Sequence, residues 1–203
     1  MDPEETATRY DRIAGWWQTQ HQNSLYGIAQ LERAIQFVPE RQLALDVGCG
    51  SSGRLITVLN EHGFQAEGLD ISEKMIGLAK QLHPNVTFYQ EDICRWTPAR
   101  LYSLIVAWDS TFHLPLNMQE PVIRKLCNAL KSDGVLVFTC GGGHSQGEVS
   151  GTFQGQDFEY STLGVNAFLE ILHEQACTCL HLEYDQYPES HVYIIARKLT
   201  CPS

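Results

Sequence analysis

Three short stretches hold acidic residues where their chemistry can be read. Asp46 stands just before the turn Gly48-Cys49-Gly50-Ser51-Ser52-Gly53, Asp70 follows twenty residues after Gly50, and Asp92 lies in Glu91-Asp92-Ile93. Glycines at this spacing spell a nucleotide-binding turn, in which residues without a Cβ let the backbone approach a ligand closely. An acid about 20 residues further on is placed to take ribose hydroxyls. The spelling alone fits a dinucleotide, but Asp46 argues otherwise. A carboxylate beside the turn repels a pyrophosphate seated at a helix N-terminus. It suits a ribose-bearing ligand with a positive charge and no phosphate. A nicotinamide dehydrogenase is disfavoured on that ground, and no hydride-transfer residue set is evident.

These residues need a scaffold that gathers the ends of several strands. Leu43, Ala44, Leu45 and Val47 read as a strand buried on both faces. Phe64 to Asp70 reads as a second strand, followed by a helix opened by Ser72 or Glu73. A third strand starts near Val86, Leu101 to Leu114 holds a fourth with a polar and aromatic end, and Val135 to Gly143 is a fifth. The chemistry-bearing groups thus follow strand C-termini, where open α/β sheets bind ligands. Strands alternating with helices predict a parallel sheet with right-handed crossovers. Val122, Leu126, Ala129 and Leu130 share one face of a helix.

Residues 1–40 read as two short helices packed ahead of the sheet. Residues 141–160, GGGHSQGEVSGTFQGQDFEY, read as a mobile loop, or one with a short hairpin, over the C-terminal edge. A helix from about Leu163 to Gln175 takes Ser161 or Thr162 as its cap. CTCLHLEY and HVYIIARK read as the last two strands.

On DVGCG with Asp46, LDIS with Asp70 and EDI over Glu91 to Ile93, the chain resembles the class I S-adenosylmethionine (SAM)-dependent methyltransferases, from roughly Tyr10 to Lys198. The resemblance implies a Rossmann-like α/β fold: a mostly parallel seven-stranded sheet, helices on both faces and an antiparallel last strand. It implies a single domain over 1–203, with 1–40 as a helical lid and 141–160 as a loop insertion over the acceptor site. It implies SAM as cofactor, a ligand with sulfonium and ammonium charges and no phosphate, as Asp46 asks. Its methyl group would pass to a small-molecule acceptor; the alternative is a non-catalytic binder of SAM or S-adenosylhomocysteine (SAH). Gly48, Cys49 and Gly50 then meet the methionine moiety, Asp70 and Ile71 the ribose, and Asp92 and Ile93 the adenine. Met75 joins this cofactor set, Asp46 faces the positive end, and Tyr10 resembles a lid tyrosine near the methionine. The chain departs from the family in two places. Its third glycine comes one residue late, after Ser51-Ser52, and Lys131-Ser132-Asp133-Gly134 replaces a Lys-Pro-Gly-Gly turn. Asp and Gly are themselves turn formers.

Methyl transfer asks the protein for orientation, since the cofactor carries the activated carbon. A base helps only a protonated acceptor. His113, after the fourth strand, is the leading base, with packing or turn capping as its plainer role. Asp109 is placed beside cofactor or acceptor, and Trp108 to pack on adenine. Trp17, with Trp16 and Tyr26, could wall an acceptor pocket or dock a helix on the sheet. His144, Glu159 and Tyr160 flank the glycine-rich stretch, within reach of an acceptor. His191 and Tyr193 open the last strand, where a plain strand role is favoured. No Asp/Asn-Pro-Pro-Tyr/Phe or Pro-Cys follows the fourth strand, which argues against methylation of nucleic-acid bases.

The bulk properties agree. The 203 residues carry 43% apolar and 19% charged side chains, an ordinary composition for one globular domain. A net charge of −10 with no basic run disfavours nucleic acid, whose phosphates supply most of the affinity for its partners. No apolar run reaches the roughly 18 residues of a membrane span. The seven cysteines are odd in number and lack Cys-x-x-Cys spacing, so reduced thiols in a cytoplasmic protein without a metal are expected. The N-terminus is polar and lacks a signal-peptide core. A monomer or homodimer is expected.

Overall fold

Each near-continuous apolar run forms a strand in the computed structural model, which describes residues 1–200. The strands are β1 (Leu43–Val47), β2 (Gln65–Asp70), β3 (Thr87–Gln90), β4 (Tyr102–Ala107) and β5 (Leu130–Gly141). A hairpin, β6 (Gly147–Phe153) and β7 (Gln156–Thr162), stands apart from them, and β8 (Cys177–Glu183) and β9 (His191–Lys198) close the chain. The seven-stranded sheet runs β3-β2-β1-β4-β5-β9-β8. Strands β1 to β5 pair in parallel, and β9 is antiparallel to both neighbours. This is the expected Rossmann-like arrangement.

Alternation along the strands sorts the core into two layers. Leu45, Val47, Ile105, Ala107, Leu136 and Phe138 face α5 (Leu116–Asn128) and α6 (Val165–Glu174). Ala44, Leu104, Val106, Trp108, Val135 and Val137 face the other way. There they meet α2 (Ile28–Ile35), α3 (Arg54–Glu61) and α4 (Glu73–Leu82). The two layers leave the C-terminal ends of β1, β2 and β4 side by side at the sheet's centre.

The two helices expected ahead of the sheet are present, but the first is long: α1 (Pro3–His21) runs 19 residues before α2. Asp2 caps it by accepting from the Glu4 amide at 2.9 Å, and Pro3 opens it, where a missing N–H costs nothing. Within residues 141–160 the structure takes the hairpin alternative: β6 and β7 pair in register from Gly147 with Thr162 to Phe153 with Gln156. Gln154 and Gly155 both have positive φ, the signature of a two-residue turn whose twist matches the strands. Ser161 and Thr162 belong to β7, so Gly164 caps α6 instead. The Ser161 hydroxyl donates to the Leu114 carbonyl at 2.6 Å, and Gln119 Nε2 donates to the Ser161 carbonyl at 2.6 Å. These buried bonds fasten the hairpin's base to α5.

Candidate active site

The glycine turn after β1 is shaped by close contacts. Gly48 and Gly50 both have left-handed φ, and a Cβ on Gly48 would lie 2.4 Å from that of Ser110. The Gly48 and Cys49 amides donate to the Leu69 carbonyl, which binds the turn to the end of β2. Asp70 then ties three pieces together. Its carboxylate accepts from the Gly50 amide and from the Ser72 amide, each at 2.9 Å. Burial raises its pKa, against the pull of those two amides. Ser72 caps α4, its hydroxyl accepting from the Met75 amide at 3.1 Å.

Asp46 is 2% exposed, and burial pushes its pKa up to about 7, opposed by the Arg54 guanidinium and helped by Asp70. Such a carboxyl is poised to ionise when a cation arrives. On the far side, Asp92 accepts from the Cys94 amide at 2.8 Å, and Ile93 packs on the layer that holds α5. Burial raises the Cys49 thiol, so it stays protonated.

One cavity joins these groups. Tyr10, Trp17, Asp46, Gly48, Cys49, Gly50, Asp70, Ile71, Met75, Asp92, Ile93, Trp108, Asp109 and His113 all line it. Helix α1 roofs it. Asp11 on α1 accepts from the Lys74 amide at 3.1 Å, docking the helix on the start of α4. The hairpin supports α1 from outside: Phe158 lies 4.8 Å from the Tyr10 ring, and Phe153 lies 5.3 Å from Trp16 and 5.9 Å from Trp17.

Other assignments change. His113, the leading base of the sequence, is enclosed by its neighbours. Burial pushes its pKa down to about 4, so it is uncharged near neutral pH. Nδ1 faces the Glu159 carbonyl at 3.4 Å, and Nε2 lies 2.8 Å from the Tyr10 hydroxyl. The proton therefore belongs on Nδ1, and Nε2 accepts from Tyr10. His144 is exposed and does not line the cavity, because the chain leaves the sheet there to start the hairpin. Tyr160 stays outside the lining too and packs on His113 at 5.0 Å between rings. Trp108 packs with Tyr193 and Tyr26, each at 5.8 Å, in the layer opposite Ile93, and lines the cavity as Ile93 does.

Sequence reasoning missed four residues. Arg54 lines the cavity, lies over the Tyr26 ring and donates to the Tyr26 carbonyl. Its place directly after Gly53 was the available signal. His21 stacks on Trp17 at 4.1 Å, four residues along the same helix face. His191 and Asp185 join Asp109 in a network with no local signal at all.

The donor set fits a ligand of the expected kind. Glycines open a cradle at the turn, an uncharged-to-anionic Asp46 stands beside it, and Asp70 keeps lone pairs beyond its two amide bonds.

Comparison with known proteins agrees with this geometry. A methyltransferase-domain family profile matches residues 44–134. The chain is 27% identical over 167 residues to the Bacillus subtilis methyltransferase-family protein YqeM, covering 76% of this chain and 67% of that one. It is 33% identical over 150 residues to a malonyl-[acyl-carrier protein] O-methyltransferase of Bacillus cereus, covering 73% of this chain but only 54% of that enzyme's length. Among solved structures, a DhpI–SAH complex superposes with a TM-score of 0.73 over 98% of this chain and 97% of that one, at 20% identity.

Proposed function

This chain belongs to the class I SAM-dependent methyltransferases, and from that premise we propose that it transfers a methyl group from SAM to a small-molecule acceptor. The observation that carries the reading is the convergence of Asp46, Asp70 and Asp92 with the glycine turn on one cavity beneath an aromatic helix. SAM supplies a carbon made electrophilic by positive sulfur. The protein's part is to bind, orient and exclude water. Asp70 and Ile71 hold the ribose, Asp92 and Ile93 border the adenine, and Asp46 ionises against the positive methionine end. Tyr10, fixed by His113, and Trp17 close the roof. His113 acts as a positioning residue for Tyr10.

Two supports favour this acceptor class over nucleic acid: the net charge is −10, and the Bacillus cereus relative is a malonyl-[acyl-carrier protein] O-methyltransferase. No helix among the described residues is long and apolar enough to cross a membrane. We further propose a cytoplasmic monomer or homodimer. Incubation with methyl-labelled SAM and separate panels of small amines, phenols and carboxylic acids, beside DNA and RNA, tests this. SAH release with a small acceptor is the expected result. SAH binding without transfer to anything would leave only the non-catalytic binder, and transfer to nucleic acid alone would overturn the acceptor class.

A further inference from the structure

One end of the cavity holds a network that the cofactor residues do not explain. Asp109 follows β4 with a left-handed φ of 51°, and its amide donates to Thr139 Oγ1 at 2.8 Å. Its Oδ1 lies 3.0 Å from His191 Nε2, and His191 Nδ1 lies 2.6 Å from Asp185 Oδ1. Gln30 Nε2 donates to the other Asp185 oxygen at 3.2 Å. The Tyr26 hydroxyl lies 3.4 Å from His191 Nε2 and accepts from Gln186 Nε2 at 2.6 Å. Segments far apart in the chain thus converge on one carboxylate.

The arrangement is more than a strut. A left-handed φ at a non-glycine residue is strain of the kind that collects at functional sites. Burial pushes the His191 imidazole pKa down, but the carboxylates of Asp109 and Asp185 outweigh it and raise the value overall. His191, bonded at both ring nitrogens, fixes the direction of the Asp109 carboxylate. Trp108 and Asp109 line the same cavity, and the Trp108 ring lies 5.8 Å from Tyr26 and 5.9 Å from His191. Asp70 and Asp92 follow β2 and β3 on one side of β1, whereas Asp109 follows β4 on the other.

We propose that Asp109 faces the reacting carbon and takes the proton of a protic acceptor, an O–H or N–H nucleophile, with His191 and Asp185 as its positioning residues. The inference rests on the methyltransferase reading above. The acceptor's heteroatom gains the bond to carbon that sulfur loses, the electron pair stays on sulfur, and the heteroatom's proton goes to the Asp109 carboxylate. His113, neutral and bonded to Tyr10, leaves this task to Asp109.

Calorimetry with SAH and with sinefungin, which carries an ammonium group where SAM carries its methyl, tests the proposal on the full chain. Sinefungin should bind the unaltered protein about tenfold or more tighter than SAH, the scale of a charge-assisted hydrogen bond. Asp109→Asn should bring the two affinities to within about threefold. His191→Gln and Asp185→Asn should each lower the ratio part of the way. A merely structural role would weaken both ligands alike and leave the ratio where it was. Equal affinities in the unaltered protein, or an unchanged ratio in Asp109→Asn, would overturn the assignment. Should Asp109→Asn not fold, an unchanged ratio in Asp185→Asn does so. Failure to bind either ligand would instead count against the methyltransferase reading itself.

Discussion

Asp46 shows how a single residue sets function against stability. Its pKa rises from an ordinary 3.8 to about 7, chiefly through burial. Between those values the folded chain holds a proton that the unfolded chain has lost. The folded state then binds more protons, so stability falls as pH rises, and the loss is complete above about 7. Below the ordinary value both states are protonated and the group costs nothing. Asp46→Asn should therefore stabilise the apoprotein at pH 8 by about 1 kcal/mol or more and change little at pH 4. The same variant should weaken SAH binding by about tenfold, since a charged partner of the ammonium is lost. Urea unfolding at the two pH values and calorimetry at pH 8 read both effects. A variant that is no more stable at pH 8 and binds SAH as before would remove Asp46 from the site.

At the scale of elements, the hairpin and α1 form a roof in two coupled parts. Phe158 is 1% exposed and touches Tyr10, while Phe153 reaches the paired tryptophans. Burial of such side chains contributes about 1.5–3 kcal/mol each, whereas exposed contacts such as Arg12 with Gln156 at 3.0 Å add little. Ligand binding beneath the roof should raise hydrogen-exchange protection in residues 8–20 and 147–162 together. Phe153→Ala should lower protection in α1 as well as in the hairpin. Protection that rises in one part alone would show that the two move independently. The coupling explains what sequence reading could and could not find. Strands β1 to β5, the glycine turn and Asp70 were legible because each is written within about a dozen neighbouring residues, as an apolar run or a spacing. The hairpin was legible only as an alternative to a loop, because seven residues of each strand carry glycines and polar groups whose pairing depends on α5 and α1. His191 read as a plain strand residue because its partner Asp109 lies 82 positions away. Only the antiparallel entry of β9 beside β5 brings them together. His113 was found by position, yet its burial, which decides its protonation, is a property of the assembled roof.

For the whole molecule, the arrangement of charge selects the ligand. Asp46, Asp70 and Asp92 line one cavity, and its Arg54 is held by the Tyr26 carbonyl and ring. A pyrophosphate in this place would meet carboxylates at the turn where dinucleotide folds offer bare helix amides. SAH presents an ammonium group and ribose hydroxyls instead. A ligand that binds only the folded state stabilises it by about 2.7 kcal/mol at a hundred times its dissociation constant. For a chain of 203 residues, each kcal/mol moves the melting temperature by about 2–4 °C. Saturating SAH should then raise Tm by roughly 5–10 °C, and NAD at equal concentration should leave it unchanged. The shift should persist when both ligands are present, because NAD has no site from which to compete. A larger shift with NAD than with SAH would mean that the acidic turn tolerates a pyrophosphate, and the charge argument from Asp46 would fall with it.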